Sequence, residues 1–152
     1  MMLPLLIGGL MVVLTVLIQG VGSLWILRFL LGRQAKASSV FRRHHALITI
    51  SSTALALVLL HWLQIMLWAA LYLVLTPVTP ISTIESALYL SAITFTTVGY
   101  GDITLQAEQL RLLCGIEGLN GVLLLGWSTA LLYAVVHRTW DAYCRTHDMS
   151  RH

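Results

Sequence analysis

The chain has 152 residues, 58% of them hydrophobic and only 10% charged, with a formal net charge of +3. A soluble domain carries about a quarter charged residues, and a mean hydropathy of +0.85 leaves too little polar surface to coat a globule. This excludes the ordinary soluble classes and puts most of the chain in lipid, as one membrane domain. Two cysteines, Cys114 in an apolar segment and Cys144 in a basic tail, make no disulfide framework.

The first apolar run, Leu3 to Leu31, is broken only by Gln19 and Arg28. It has no basic leader and is too long for the apolar part of a signal peptide. A transmembrane helix is expected over 1–32, followed by a basic loop over 33–45. The second run, Ala46 to Leu75, contains His61 and Gln64; the third, Leu110 to Val136, contains Glu117 and Asn120. Each exceeds the roughly 20 residues needed to cross a bilayer. Helices are expected over 46–76 and 108–137, with a tail over 138–152.

Between the second and third runs lies a fourth apolar piece, Ile84 to Phe95, too short to span. Pro77 and Pro80 end the helix before it, and Ser82 with Glu85 forms a capping box that starts a new one. A short helix over 83–95 followed by irregular backbone reads as a re-entrant segment. The fold class is therefore an all-α membrane protein with three spans and one re-entrant helix and loop. No internal repeat or low-complexity segment is present.

Lys and Arg placement sets the orientation. Arg28, Arg33, Lys36, Arg42 and Arg43 crowd the first connection, and Arg138, Arg145 and Arg151 lie in the tail. Between Arg43 and Arg111 there is neither Lys nor Arg. The positive-inside rule places the first loop and the tail in the cytoplasm, and the N-terminus and re-entrant segment outside. Several tryptophans are expected at the membrane interfaces, Trp127 excepted.

The re-entrant loop reads Thr96-Thr97-Val98-Gly99-Tyr100-Gly101-Asp102. Irregular backbone at membrane depth survives only when buried in protein or lining a polar path. A path that strips water from a cation must offer oxygens in its place. A row of carbonyls facing one side requires alternating right- and left-handed backbone, which glycine adopts without steric cost. Gly99 and Gly101, two apart, suit that need, and Thr97 adds a hydroxyl oxygen at the inner end.

Thr97-Val98-Gly99-Tyr100-Gly101-Asp102 resembles, letter for letter, the selectivity filter of the potassium-channel pore-domain family. The surrounding order of span, short helix, filter and span over 46–137 is similar to that family's two-helix pore. The resemblance implies K+ as the permeant ion, coordinated at Thr97, Val98, Gly99 and Tyr100, with Gly101 completing the row. Thr96 and Asp102 would support the filter, and the Tyr100 ring would brace it from behind. It implies a homotetramer, because one chain supplies one wall of the path. The end of the short helix would point its dipole at a central cavity, favouring a cation there. Many family members have two aromatic residues before the pore-helix serine, where this chain has Tyr89 and Leu90. Some have a buried glutamate two residues after it, where this chain has Ile93. Asp102 is therefore expected to lack a strong partner.

Family inner helices often bend at a glycine beyond the filter, and Gly121 stands at the matching distance from Gly101. The hinge reading competes with simple helix packing, for Gly115, Gly118 and Gly126 are close by. Val122, Leu125 and Thr129 follow at helical spacing and are expected to line the cavity. Glu117 and Asn120 share a helix face. Glu117 either bonds the pore helix or adds negative potential to the path, or else makes an interhelical bond that stabilises the assembly; the last is preferred. Packing is also expected of His61 and Gln64.

No voltage-sensor arginine repeat, nucleotide-binding domain or calcium module is read from the chain. His44, His45, His137, His147 and His152 are expected on the cytoplasmic side, where imidazoles charge below about pH 6.5. Anionic lipid contact at Arg42, Arg43 and Arg138 is a rival role for that surface. The first span is expected to pack outside the second as a peripheral helix. A passive potassium channel without catalysis or organic cofactor is the reading, with lipid as partner and no nucleic acid; its brevity suggests a prokaryotic inner membrane by analogy. A potassium-transporter subunit, a non-conducting regulatory subunit and an enzyme are the alternatives. Transporter relatives repeat the pore unit and keep degenerate filters, and no nucleophile–base cluster surrounds His61 or Ser91.

Overall fold

The computed structural model describes residues 2–36, 43–75, 83–105 and 108–148. The helices α1 Met2–Lys36, α2 Arg43–Leu75, α3 Ile84–Phe95 and α4 Glu108–Asp148 follow in order, with no strand among the described residues. Met2–Phe29, Ala46–Leu75 and Leu110–Cys144 are each long and apolar enough to cross a membrane. The chain is an all-α membrane protein.

The end of the apolar run places the end of the last helix at 137, yet α4 continues to Asp148. Loss of apolar character marks the edge of the bilayer, not the end of the helix. His137 Nδ1 lies 3.1 Å from Asp141 Oδ2 one turn on, and Thr139 Oγ1 donates to the Val135 carbonyl at 2.7 Å. No proline or glycine interrupts 137–148. At about 1.5 Å per residue such a helix runs to roughly 60 Å, about twice the hydrocarbon thickness.

On α1 the polarity is reversed relative to a soluble bundle. Along α1, Leu3, Leu6, Leu10, Leu17, Val21 and Leu24 are exposed, whereas Thr15, Gln19 and Ser23, spaced by four, are buried. Where lipid replaces water, apolar side chains gain nothing by turning inward, and polar ones need partners inside the protein.

Those buried groups correct the reading of α1 as a peripheral helix outside the second span. It lies along α4 as well as α2. Asn120 Nδ2 donates to Thr15 Oγ1 at 2.8 Å, and Gln19 Nε2 donates to Ser128 Oγ at 2.8 Å. Gln64 Nε2 of α2 donates to Gln19 Oε1 at 2.9 Å. Two glycines allow the approach: a Cβ on Gly8 would sit 2.7 Å from Ile116 Cδ1, and one on Gly22 2.7 Å from Leu60 Cδ2. The order of these contacts makes α1 parallel to α4 and antiparallel to α2. The start of α1, the end of α2 and the start of α4 therefore share one side of the bundle.

The short helix α3 is wedged between α2 and α4. The apolar core joins Trp68, Ala69 and Tyr72 of α2 to Ala87, Leu90 and Phe95 of α3 and Leu113 and Leu124 of α4. Leu105, at the end of the loop after α3, completes it with 2% exposure.

Candidate ion-conducting site

The re-entrant helix starts at a cap one residue later than the sequence suggests. Thr83, not Ser82, is the N-cap; its backbone is extended (φ −115°, ψ 150°). The Thr83 hydroxyl accepts from the Ser86 amide at 3.1 Å, and Ser86 Oγ accepts from the Thr83 amide at 3.3 Å. Glu85 remains in the first turn, where a carboxylate favours the positive end of the helix. Ser82, Pro77 and Pro80 lie outside the described residues.

At its other end α3 turns without a break into the loop. The amides of Thr96, Thr97 and Gly99 donate to the carbonyls of Ala92, Thr94 and Ile93 at 3.1, 3.0 and 3.1 Å. Left-handed φ then recurs at every second residue: Thr97 at 60°, Gly99 at 55° and Gly101 at 80°. This is the alternation that a row of carbonyls turned to one side requires, and for the glycines it costs nothing. Thr97 is the departure. A β-branched residue in this region carries strain of about 1–2 kcal/mol, and its hydroxyl donates to the Thr96 carbonyl at 2.7 Å.

Beyond the glycines the chain folds back along α3. The Tyr89 hydroxyl donates to Asp102 Oδ2 at 2.7 Å, which corrects the expectation that Asp102 lacks a strong partner. The partner is an aromatic hydroxyl on α3, while position 93 carries a buried isoleucine. That hydrogen bond first, and the amides of Asp102 and Ile103 after it, hold the Asp102 carboxyl below the usual carboxylate range. Arg111 Nε donates to the Leu105 carbonyl at 3.1 Å and fastens the end of the loop to α4.

The loop residues 96–102 are exposed, with Val98 at 53% and Tyr100 at 74%. Val122 and Thr129 on α4 are also exposed, whereas Leu125 is half-buried against the core. Gly121 has a packing reason of its own. A Cβ there would fall 2.8 Å from the Phe95 carbonyl carbon and 3.0 Å from its Cα, and would collide with the carbonyl oxygen. Gly118 faces the Thr94 carbonyl oxygen, 3.5 Å from where its Cβ would be. The inner helix thus rests its backbone on the end of the pore helix.

Glu117 is fully buried between these contacts. Ser91 Oγ lies 2.6 Å from its Oε1, and the Tyr72 hydroxyl donates to its Oε2. Sequence reading singled out Glu117 but missed Tyr72 and Tyr89 as partners, since nothing local distinguishes them from the other tyrosines of the chain. His137 is exposed beside Asp141, and Arg138 is exposed on α4. Arg42 and His152 lie outside the described residues, as do the side chains of Arg43, His44, His45 and His147.

Two long helices that flank a short one, with a left-handed loop returning between them, define an integral membrane protein of the pore-loop class. The family model described as ion channel matches residues 46–138, more than half of the chain. The chain belongs to that family, the two-helix channels of potassium-channel type, with one additional N-terminal helix. No curated protein and no solved structure matches it.

Proposed function

We propose that this channel is potassium-selective and that four copies surround a central path. The observation that carries the reading is the left-handed backbone at Thr97, Gly99 and Gly101 within Thr97-Val98-Gly99-Tyr100-Gly101. Carbonyls of Thr97, Val98, Gly99 and Tyr100 replace the hydration shell of the permeant ion. Exposure supports an assembly, because bare irregular backbone is not tolerated against lipid and other walls must enclose it; the number four is what the filter resemblance implies. Orientation follows from the basic residues, with the loop and tail in the cytoplasm and the filter outside.

Flux from liposomes containing the purified protein tests this, with K+, Rb+ and Na+ compared for the native chain and Gly99→Ala. K+ and Rb+ should pass, Na+ should lag, and the variant should lose the discrimination. Native protein that is assembled but passes no ion, or passes Na+ equally, would overturn the reading.

A further inference from the structure

Glu117 sits where α2, α3 and α4 meet through polar atoms, and conduction as proposed makes no use of it. Its surroundings are specific. Its hydrogen-bond partners are two hydroxyls, Ser91 on α3 and Tyr72 on α2. Ser91 Oγ is also 2.9 Å from the Ile65 carbonyl on α2, and the Tyr72 hydroxyl lies 3.7 Å from Cys114 Sγ on α4. Among the described residues no basic side chain pairs with the Glu117 carboxyl.

We propose that Glu117 is the positioning residue of the pore: its carboxyl ties the pore helix to both long helices and sets the depth and rotation from which the filter emerges. The proposal rests on the potassium-channel reading above. Its geometry is complete without an ion. The glycine contacts at Gly118 and Gly121 fix how closely α4 approaches α3, but smooth backbone contacts allow sliding and rotation. A hydrogen bond has direction, and a pair made to two different helices removes that freedom. Ser91 is on α3 six positions before Thr97, and the amides of Thr97 and Gly99 bond back to the Thr94 and Ile93 carbonyls of that helix, so a rotation at Ser91 is carried to the first filter residue.

The hydrogen count at Ser91 defines which substitute suffices. Its single hydroxyl hydrogen faces two acceptors, the Ile65 carbonyl and Glu117 Oε1. A glutamine at 117 can donate its amide hydrogen to Ser91 Oγ and accept from Tyr72, while Ser91 donates to Ile65. Glu117→Gln therefore keeps every tie, and Glu117→Leu keeps the volume but cuts both.

The experiment measures the K+ over Na+ flux ratio of the assembled full chain in liposomes for native protein, Glu117→Gln, Glu117→Leu, Ser91→Ala and Ser91→Ala with Glu117→Leu. Assembly is checked by size-exclusion chromatography before flux is read. Glu117→Gln should match the native ratio. Glu117→Leu and Ser91→Ala should lower it, by up to about tenfold if the whole free energy of a buried hydrogen bond to an ionisable group is lost from the discrimination, and the double variant should be no worse than Glu117→Leu alone. Should Glu117→Leu fail to assemble, Ser91→Ala and Glu117→Gln carry the test. An assembled Glu117→Leu or Ser91→Ala with the native ratio overturns the proposal, and so does a Glu117→Gln channel that has lost it. A native chain without K+ preference instead overturns the potassium reading on which it rests.

Discussion

Substituting Gly121 by alanine should unseat the inner helix from the pore helix. Inside a helix the exchange by itself is favourable by about 1 kcal/mol. Here the added Cβ would meet the Phe95 backbone, 2.8 Å from the carbonyl carbon and 3.0 Å from the Cα. Ordinary carbon contacts lie at about 3.5–4.0 Å, so the helices must separate by most of an ångström. The obstacle is backbone, which has no rotamer to give. Overpacking of this kind costs about 1–3 kcal/mol and occasionally more. The upper end applies, for a net loss of about 2 kcal/mol after the helix-propensity gain. In a chain of this size that lowers the midpoint by roughly 4–8 °C. Thermal unfolding of the detergent-solubilised protein, followed by size exclusion, reads it out. Gly9→Ala is the control, because nothing lies within 4 Å of the Cβ it would add, and it should melt at or slightly above the native temperature. A Gly121→Ala protein as stable as native would refute the close-packing argument and return Gly121 to the hinge role, in which opening changes and stability does not.

Two further outcomes follow from the hydrogen bonds. Tyr89→Phe removes the strongest influence holding the Asp102 carboxyl low. A carboxyl depressed on folding contributes stability that is present above its unfolded value, about 3.9, and is lost as pH falls through the lower folded one. In the native chain the loss therefore extends below that unfolded value, and Tyr89→Phe should make it smaller and end it at higher pH; superimposable acid melting curves would remove Asp102–Tyr89 from the account of the filter. Gln19→Leu severs the bonds to Ser128 and Gln64 and should destabilise by about 1 kcal/mol, the scale of paired side-chain bonds between membrane helices. A variant that melts higher than native would mean that α1 is held by apolar packing alone.

Much of this molecule is legible without coordinates because it is local. Hydropathy over a window places three spans, since each must bury about 20 residues in hydrocarbon. Glycine at 99 and 101 announces left-handed backbone because only glycine adopts it freely. The short helix between the spans follows from its length and cap, although the cap falls on Thr83 rather than Ser82. The same local logic misplaced the end of α4, where amphiphilic residues continue a helix that apolarity alone would stop.

What the tertiary structure alone decided is the identity of partners. In lipid, a lone Gln19, Gln64, Glu117 or Asn120 signals that it must be bonded, but the sequence does not say to what. The answers lie across the chain: Gln19 to Ser128, Asn120 to Thr15, Glu117 to Ser91 and Tyr72. Gly121 shows the same division. Its smallness is visible in the sequence, and only the approach of Phe95 explains why smallness is needed. Backbone conformation and membrane insertion depend on each residue and its near neighbours, so they can be read in one dimension. Hydrogen bonds between helices depend on which faces meet, and that is fixed only when all the helices have packed.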